Sequence, residues 1–255
     1  MTATDRRVIC IVGDPPLVAE YAGLCAGRGY AVQHLAIREP GRTGARRFRL
    51  GGNVRLVARP SRTVRLALEL SNVSVETKRK NLMLLDRSLP AHTPIVSSSV
   101  TVRAGEQAGW LRHRNRLIGI GALPSLLAGS LLEFAVAPTT DVPTRRMAEE
   151  FAASLGKEAT FVGDLPGLVL PRIVCTLANE AHFAMMEGVA GRDDIDTAMK
   201  LGTNYPAGPL EWAERIGYRQ LCAVLDALRV FYGEERYRAA PAVRHALDRE
   251  GTAAV

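Results

Sequence analysis

The sequence predicts an α/β fold, a doubly wound sheet followed by an all-helical C-terminal part, on three observations. Val8-Ile9-Cys10-Ile11-Val12 is a continuous apolar run ending at Gly13; helical spacing follows over Leu17 to Arg28, and then a second apolar run over Tyr30 to Leu35. Such an opening implies two parallel buried strands joined by a right-handed crossover. Short apolar runs and helical stretches then alternate as far as Val162. From Pro166 onward only the helical period remains.

Each element has a local reason. Leu17, Val18, Tyr21, Leu24 and Cys25 share one face of the first helix, and Gly27 and Gly29 stop it. Arg42 to Arg65 is irregular and rich in Arg and Gly, with a brief alternation at Val54-Arg55-Leu56-Val57. Leu66 to Leu70 predicts a strand, Val75 to Leu89 a helix, Pro94 to Val96 a strand, and Arg103 to Arg114 a short helix. Leu117 to Ile120 and Leu131 to Val136 predict strands, Pro143 to Leu155 a helix with Pro in its first turn, and Ala159 to Val162 the last strand. The helix from Leu170 ends at Gly188, and Asp193-Asp194 caps the next, which ends near Gly202. Further helices are expected over 208–216, 217–232 and 240–249. The change of texture at Asp164–Pro166 divides the chain into residues 1–164 and 165–255. Leu170, Ile173, Leu177, Trp212, Leu221, Leu225 and Leu228 are read as core or dimer contacts.

The 255 residues are 47% hydrophobic and 23% charged, enough for a substantial core and unlike a disordered or fibrous chain. The net charge is +7. Nine Arg and one Glu fall between Arg38 and Arg65, a local +8 that leaves the remainder near −1. With Phe48 its only aromatic, this segment lacks the stacking residues of a single-strand binder, so nucleic acid is disfavoured. Contact with the phosphates of an acyl-CoA or with an acidic partner stays open beside a plain solvated surface. Cys10, Cys25, Cys175 and Cys222 form no CxxC pair and have no His at zinc spacing, so no metal site is expected; they read as buried thiols of a reducing compartment. Ile118 to Pro138 holds too many Gly and Pro, with Glu133 in the middle, for a membrane span. The N-terminus carries no secretory signal, and a cytoplasmic location is expected.

Strand, Gly13, helix is the start of a dinucleotide-binding turn, and it makes the fold Rossmann-like. The G-x-G-x-x-G fingerprint falls on Gly13, Pro15 and Val18. Pro15 and Pro16 remove two N–H donors where a pyrophosphate would be held, and Asp14 adds a negative charge there. Leu35-Ala36 stands where an acidic residue would meet the ribose.

The C-terminal half resembles the 3-hydroxyacyl-CoA dehydrogenase family. Gly156-Lys157, Asp164-Leu165-Pro166-Gly167, Pro171-Arg172-Ile173, Asn179-Glu180-Ala181 and Glu187-Gly188-Val189-Ala190 carry the likeness, with Asp194 to Gly202 and Tyr205 to Glu211. It is nearly ungapped from Pro94 to Leu225. Tyr232 to Tyr237 resembles the C-terminal copy of the two-copy dehydrogenases of phenylacetate catabolism. Before Pro94 the likeness is weak, and the stretch between the second and fourth strands is shorter than in the family.

The resemblance implies NAD as cofactor, a His that accepts the hydroxyl proton, a Glu that orients it, and a Ser and an Asn on the substrate oxygen. By position the His falls on Gly121, the Asn on Pro171 and the Ser on Val100, with Ser97, Ser98 and Ser99 one slip away. The Glu is present at Glu133, either as a residual site residue or as a relic paired with an Arg such as Arg172. His182 lies eleven residues after Pro171 on nearly the same stripe, about 16 Å along the axis and too far for direct proton transfer. His113 stands among Arg112, Arg114 and Arg116, whose cations would favour its neutral form. His34, His92 and His245 read as surface residues.

The expectation is therefore a family member with impaired or lost hydride transfer, binding acyl-CoA or serving as accessory subunit to an active dehydrogenase paralogue. A homodimer through the helices is implied. An active NAD-dependent 3-hydroxyacyl-CoA dehydrogenase with rearranged site residues is the alternative, and an anion-binding module using the Arg-rich segment a third.

Overall fold

The computed structural model describes residues 7–36 and 53–252. Most of the Arg-rich segment expected over Arg38 to Arg65, namely residues 38–52, lies outside the described residues.

 

An eight-stranded sheet runs in the order β3-β2-β1-β4-β5-β6-β7-β8. Its strands are β1 Val8–Gly13, β2 Ala31–Leu35, β3 Val54–Val57, β4 Leu66–Leu70, β5 Ile95–Ser98, β6 Leu117–Ile120, β7 Leu131–Ala135 and β8 Glu158–Val162. All neighbours are parallel except β6 and β7, which run antiparallel. The first six strands keep the doubly wound order with its switch point between β1 and β4. Helices α1 Pro15–Gly27, α2 Val75–Ser88, α3 Ala104–Gly109 and α4 Val142–Ser154 belong to this part. From α5 Leu170–Met186 onward the chain is helical: α6 Arg192–Thr203, α7 Pro209–Ile216, α8 Tyr218–Tyr232 and α9 Pro241–Thr252. One hydrophobic cluster continues from the sheet into these helices, joining Cys10, Ala67 and Val100 to Val174, Leu221 and Leu225.

Several expectations are corrected. The Val54–Val57 alternation is a true strand, paired with β2 at the sheet edge. The helix expected over Arg103 to Arg114 is only α3, because Gly109 ends it and the Arg112 N–H is drawn to Asp86 at 2.9 Å. A short 3-10 turn follows at Arg114–Arg116. The N-cap of α6 is Gly191, and Asp193 and Asp194 sit inside its first turn, where they favour the helix dipole without capping. Leu221, Leu225 and Leu228 are fully buried, but Leu170 and Ile173 face outward, 40% and 49% exposed. No helix among the described residues is long and apolar enough to cross a membrane, and Ile118 to Pro138 holds β6 and β7 instead. All four cysteines are buried, and burial pushes the Cys25 thiol up to about 12.

Two buried charge clusters hold α2 to the sheet. Lys78 Nζ lies 2.5 Å from Glu69 Oε2 on β4 and 2.8 Å from the Ser98 carbonyl, with all three groups buried. The Ser97 hydroxyl donates to the same carboxylate at 2.9 Å. At the other end of α2, Arg116 donates to Asp86 Oδ1 at 2.7 Å and to the carbonyls of Asp86, Pro90 and Thr93. Burial alone would raise the Asp86 carboxyl, but the Arg112 N–H, Arg116 and His113 outweigh it and hold it below the usual carboxylate range.

Removing one partner of a buried pair strands the other charge, so Lys78→Met should cost about 3–5 kcal/mol in urea denaturation. Combining it with Glu69→Gln should recover much of that loss; a double variant no better than Lys78→Met would refute the pairing. The depressed Asp86 carboxyl contributes stability above its unfolded value, and this is lost as pH falls through the folded one. Asp86→Asn should therefore be less stable than wild type at neutral pH, the gap closing below about pH 4. A gap independent of pH would refute this assignment.

Candidate active site

Position 121 follows β6 directly, and its N–H donates to the Glu133 carbonyl on β7 at 2.9 Å. A Cβ at Gly121 would stand 3.4 Å from both Glu133 Cβ and Glu133 Oε2, in ordinary contact. The antiparallel β6–β7 pair thus brings positions 121 and 133 together, as the resemblance implies. Tyr21, Leu126 and Leu170 help enclose a small, mostly apolar cavity beside them.

The Glu133 carboxylate does not pair with Arg172. Its Oε2 accepts the Val169 N–H at 3.0 Å and its Oε1 accepts the Leu170 N–H at 2.8 Å. It therefore caps α5, whose N-cap Val169 makes no side-chain cap of its own. The first N–H groups of a helix need acceptors, and a carboxylate also suits the positive end of the dipole. Arg172 turns the other way. It donates to the hydroxyls of Tyr232, at 2.9 Å, and Tyr237, and its guanidinium lies 4.6 and 5.4 Å from the two ring centroids.

The remaining positions offer little for proton transfer. Pro171 is buried in the first turn of α5. Val100 is buried, and its carbonyl accepts the Gly167 N–H at 2.8 Å. The buried hydroxyls of Ser97, Ser98 and Ser99 donate to Glu69, the Ala122 carbonyl and the Ser97 carbonyl respectively. His182 is buried in α5, with Nδ1 2.7 Å from the Ala178 carbonyl and Nε2 3.4 Å from the Tyr218 hydroxyl; burial lowers its pKa. His113 lies 3.2 Å from the Asp86 carboxylate, so an anion and not only the neighbouring Arg side chains sets its surroundings. His34 is half-buried on β2, beside Leu56 of the paired β3, rather than at the surface, and burial lowers its pKa. His92 and His245 are exposed.

At the turn after β1, Gly13 adopts φ +145°, and a Cβ there would fall 2.4 Å from the Leu70 carbonyl carbon. Only glycine allows β1 and β4 to approach so closely. Pro15 and Pro16 open α1, and Val18 is buried in the core at the fingerprint's third position. Asp14 Oδ2 accepts the N–H groups of Asn72 at 2.8 Å and Val73 at 3.2 Å, and the Gln220 side-chain amide of α8 at 2.7 Å. Sequence reasoning missed Asn72 and Gln220. Nothing in local spacing links them to Asp14, although a Gln near a helix start in an apolar stretch is a weak cue.

Comparison with known proteins agrees with this fold. The family model for the 3-hydroxyacyl-CoA dehydrogenase C-terminal domain matches residues 167–252. A 3-hydroxyadipyl-CoA dehydrogenase of Escherichia coli K12 is 40% identical over 112 residues, which are 44% of this chain and 24% of that protein. A probable 3-hydroxybutyryl-CoA dehydrogenase of Bacillus subtilis is 31% identical over 179 residues, 70% of this chain and 62% of the relative. The chain thus spans less than two thirds of the length of either relative. The crystal structure of (S)-3-hydroxybutyryl-CoA dehydrogenase from Ralstonia eutropha superposes with a TM-score of 0.75 at 25% identity, covering 94% of this chain and 93% of that one. Motifs, fold and these matches agree: the chain belongs to the 3-hydroxyacyl-CoA dehydrogenase family.

Proposed function

We propose that this chain is a family member in which hydride transfer is lost or severely impaired, and that it acts as an acyl-CoA-binding or accessory subunit. The observation that carries this reading is Gly121, where a side chain would start 3.4 Å from Glu133 but none is present to accept a proton. Pro171 and Val100 add no donor for a substrate oxygen. In this reading residues 1–164 form a degenerate coenzyme-binding unit and residues 165–255 the helical unit. Cytoplasmic location and a phenylacetate-type substrate are part of the same proposal, the latter supported by the 40% identity to the 3-hydroxyadipyl-CoA enzyme. The outward apolar residues Val169, Leu170 and Ile173 support a homodimer through the helices, and an active paralogue would supply the missing chemistry.

NAD is the cofactor that the family implies, but the residues at the turn do not fit its pyrophosphate. Pro15 and Pro16 offer no N–H, and the Asp14 carboxylate already takes the Asn72 and Val73 amides. Glu133 has a backbone role in capping α5.

Loss of a general base costs about 10²–10⁴-fold, so NADH oxidation with acetoacetyl-CoA or 3-oxoadipyl-CoA should run below about 0.1 per second, against about 10 for a typical enzyme. Turnover above about 1 per second would establish the active reading instead. Glu133→Gln should lower stability by about 1.5–3 kcal/mol, the scale of hydrogen bonds to a charged group, and leave background NADH oxidation unchanged. A stability change under about 0.5 kcal/mol would refute the capping role.

A further inference from the structure

In an open doubly wound sheet, ligands lie outside the carboxyl ends of the strands, where the strand order reverses. Asp14 stands at that place. It follows β1 directly, its own N–H donates to the Leu70 carbonyl at the end of β4, and its carboxylate takes the two amides just beyond β4. Those donors would otherwise be free to face an anion.

The third donor crosses to the helical half. Gln220 Nε2 reaches Asp14 at 2.7 Å, while Gln220 Oε1 accepts from Asn72 Nδ2 at 2.9 Å. The same Asn72 amide donates to the Ala122 carbonyl at 2.9 Å. Asp14, Asn72 and Gln220 thus form a closed triangle, with Asn72 and Gln220 buried. A second strap lies further along α1. Both oxygens of Glu20 lie within reach of the Ser125 N–H, at 2.9 and 3.1 Å, and the Ser125 hydroxyl donates to the Arg215 carbonyl of α7 at 3.1 Å. Ser125 is held at φ +68°, a conformation that a non-glycine residue keeps only where its surroundings demand it.

We propose that Asp14 is a built-in anion that fills the switch-point crevice and, through Gln220, locks the α/β half onto the helical half, excluding the pyrophosphate of a dinucleotide. A phosphate entering there would meet a negative charge and amides already engaged, and would have to break the contact between the halves. This is independent of the missing proton acceptor, because it concerns occupancy of the crevice and not turnover.

Two variants test it, with ADP as the probe and amide hydrogen exchange as the second readout. Asp14→Gly should bind ADP about 10-fold or more tightly than wild type by calorimetry, through loss of the repelling charge. Exchange at the Asn72 and Val73 amides should quicken by about 10-fold or more. Gln220→Leu removes only the arm between the halves. It should speed exchange across the first turn of α8 and leave Asn72 and Val73 protected. Unchanged ADP affinity in a folded Asp14→Gly protein would overturn the proposal, as would unchanged α8 exchange in Gln220→Leu. The second variant decides the matter if the first does not fold.

Discussion

The first N–H groups of a helix must find acceptors, and in this protein much of the packing between elements follows from how that demand is met. Helices α3, α5 and α8 have no side-chain cap from their own N-cap residue. Carboxylates from distant elements serve instead. Asp164 takes the Ala104 and Gly105 amides of α3, Glu133 takes those at the start of α5, and Glu250 takes Tyr218 and Arg219 of α8. Asp196 of α6 does the same for Leu210 and Glu211 of α7, at a place where a Cβ on Gly208 would stand 2.2 Å from its carboxyl carbon. Each contact satisfies a helix start and fixes where that helix begins relative to another element. The Glu133 contact fixes α5 against β7, and so fixes the sheet against the helices.

That arrangement bears on chemistry. Glu133 faces position 121, where the family resemblance implies a proton acceptor, yet its oxygens are held by backbone amides of α5. The carboxylate keeps a structural reason to stand there whether or not position 121 carries a side chain. With glycine at 121 the Glu133 carboxylate is therefore not left as an uncompensated buried charge, which would be costly.

Most of the fold was legible in the sequence because it is written in periodicity. The apolar runs at Val8–Val12 and Leu66–Leu70 and the 3.6-residue spacing from Leu170 locate elements to within a few residues. The strand Val54–Val57 was harder to read, since an edge strand of four residues with an outward Arg55 and Leu56 buries too little to stand out. The juxtaposition of 121 and 133 was implied by the family resemblance. The partner of Glu133 was not. Backbone amides carry no sequence identity, so reasoning from residue types offered only a site role or an Arg such as Arg172, which instead stacks on Tyr232 and Tyr237. The Asp14–Gln220 contact joins positions 206 apart in the chain, and only the packing of the helical half against the sheet brings them together.

The turn after β1 separates two kinds of constraint that a fingerprint merges. Gly13 answers to the sheet, since any Cβ there would collide with the Leu70 backbone, with or without a ligand. The second and third fingerprint glycines serve close approach of a pyrophosphate and close packing of helix on strand. Pro15 stands at the second with a φ already suited to a helix start, and Val18 stands at the third with its side chain buried in the core. The helix and strand therefore pack around a larger residue than the fingerprint allows, and the sheet loses nothing. What changes is confined to the crevice: fewer N–H donors, one more carboxylate, and a contact to α8 that uses it. The first glycine thus parts company with the other two at one turn, and the fold survives because only the first is demanded by the backbone itself.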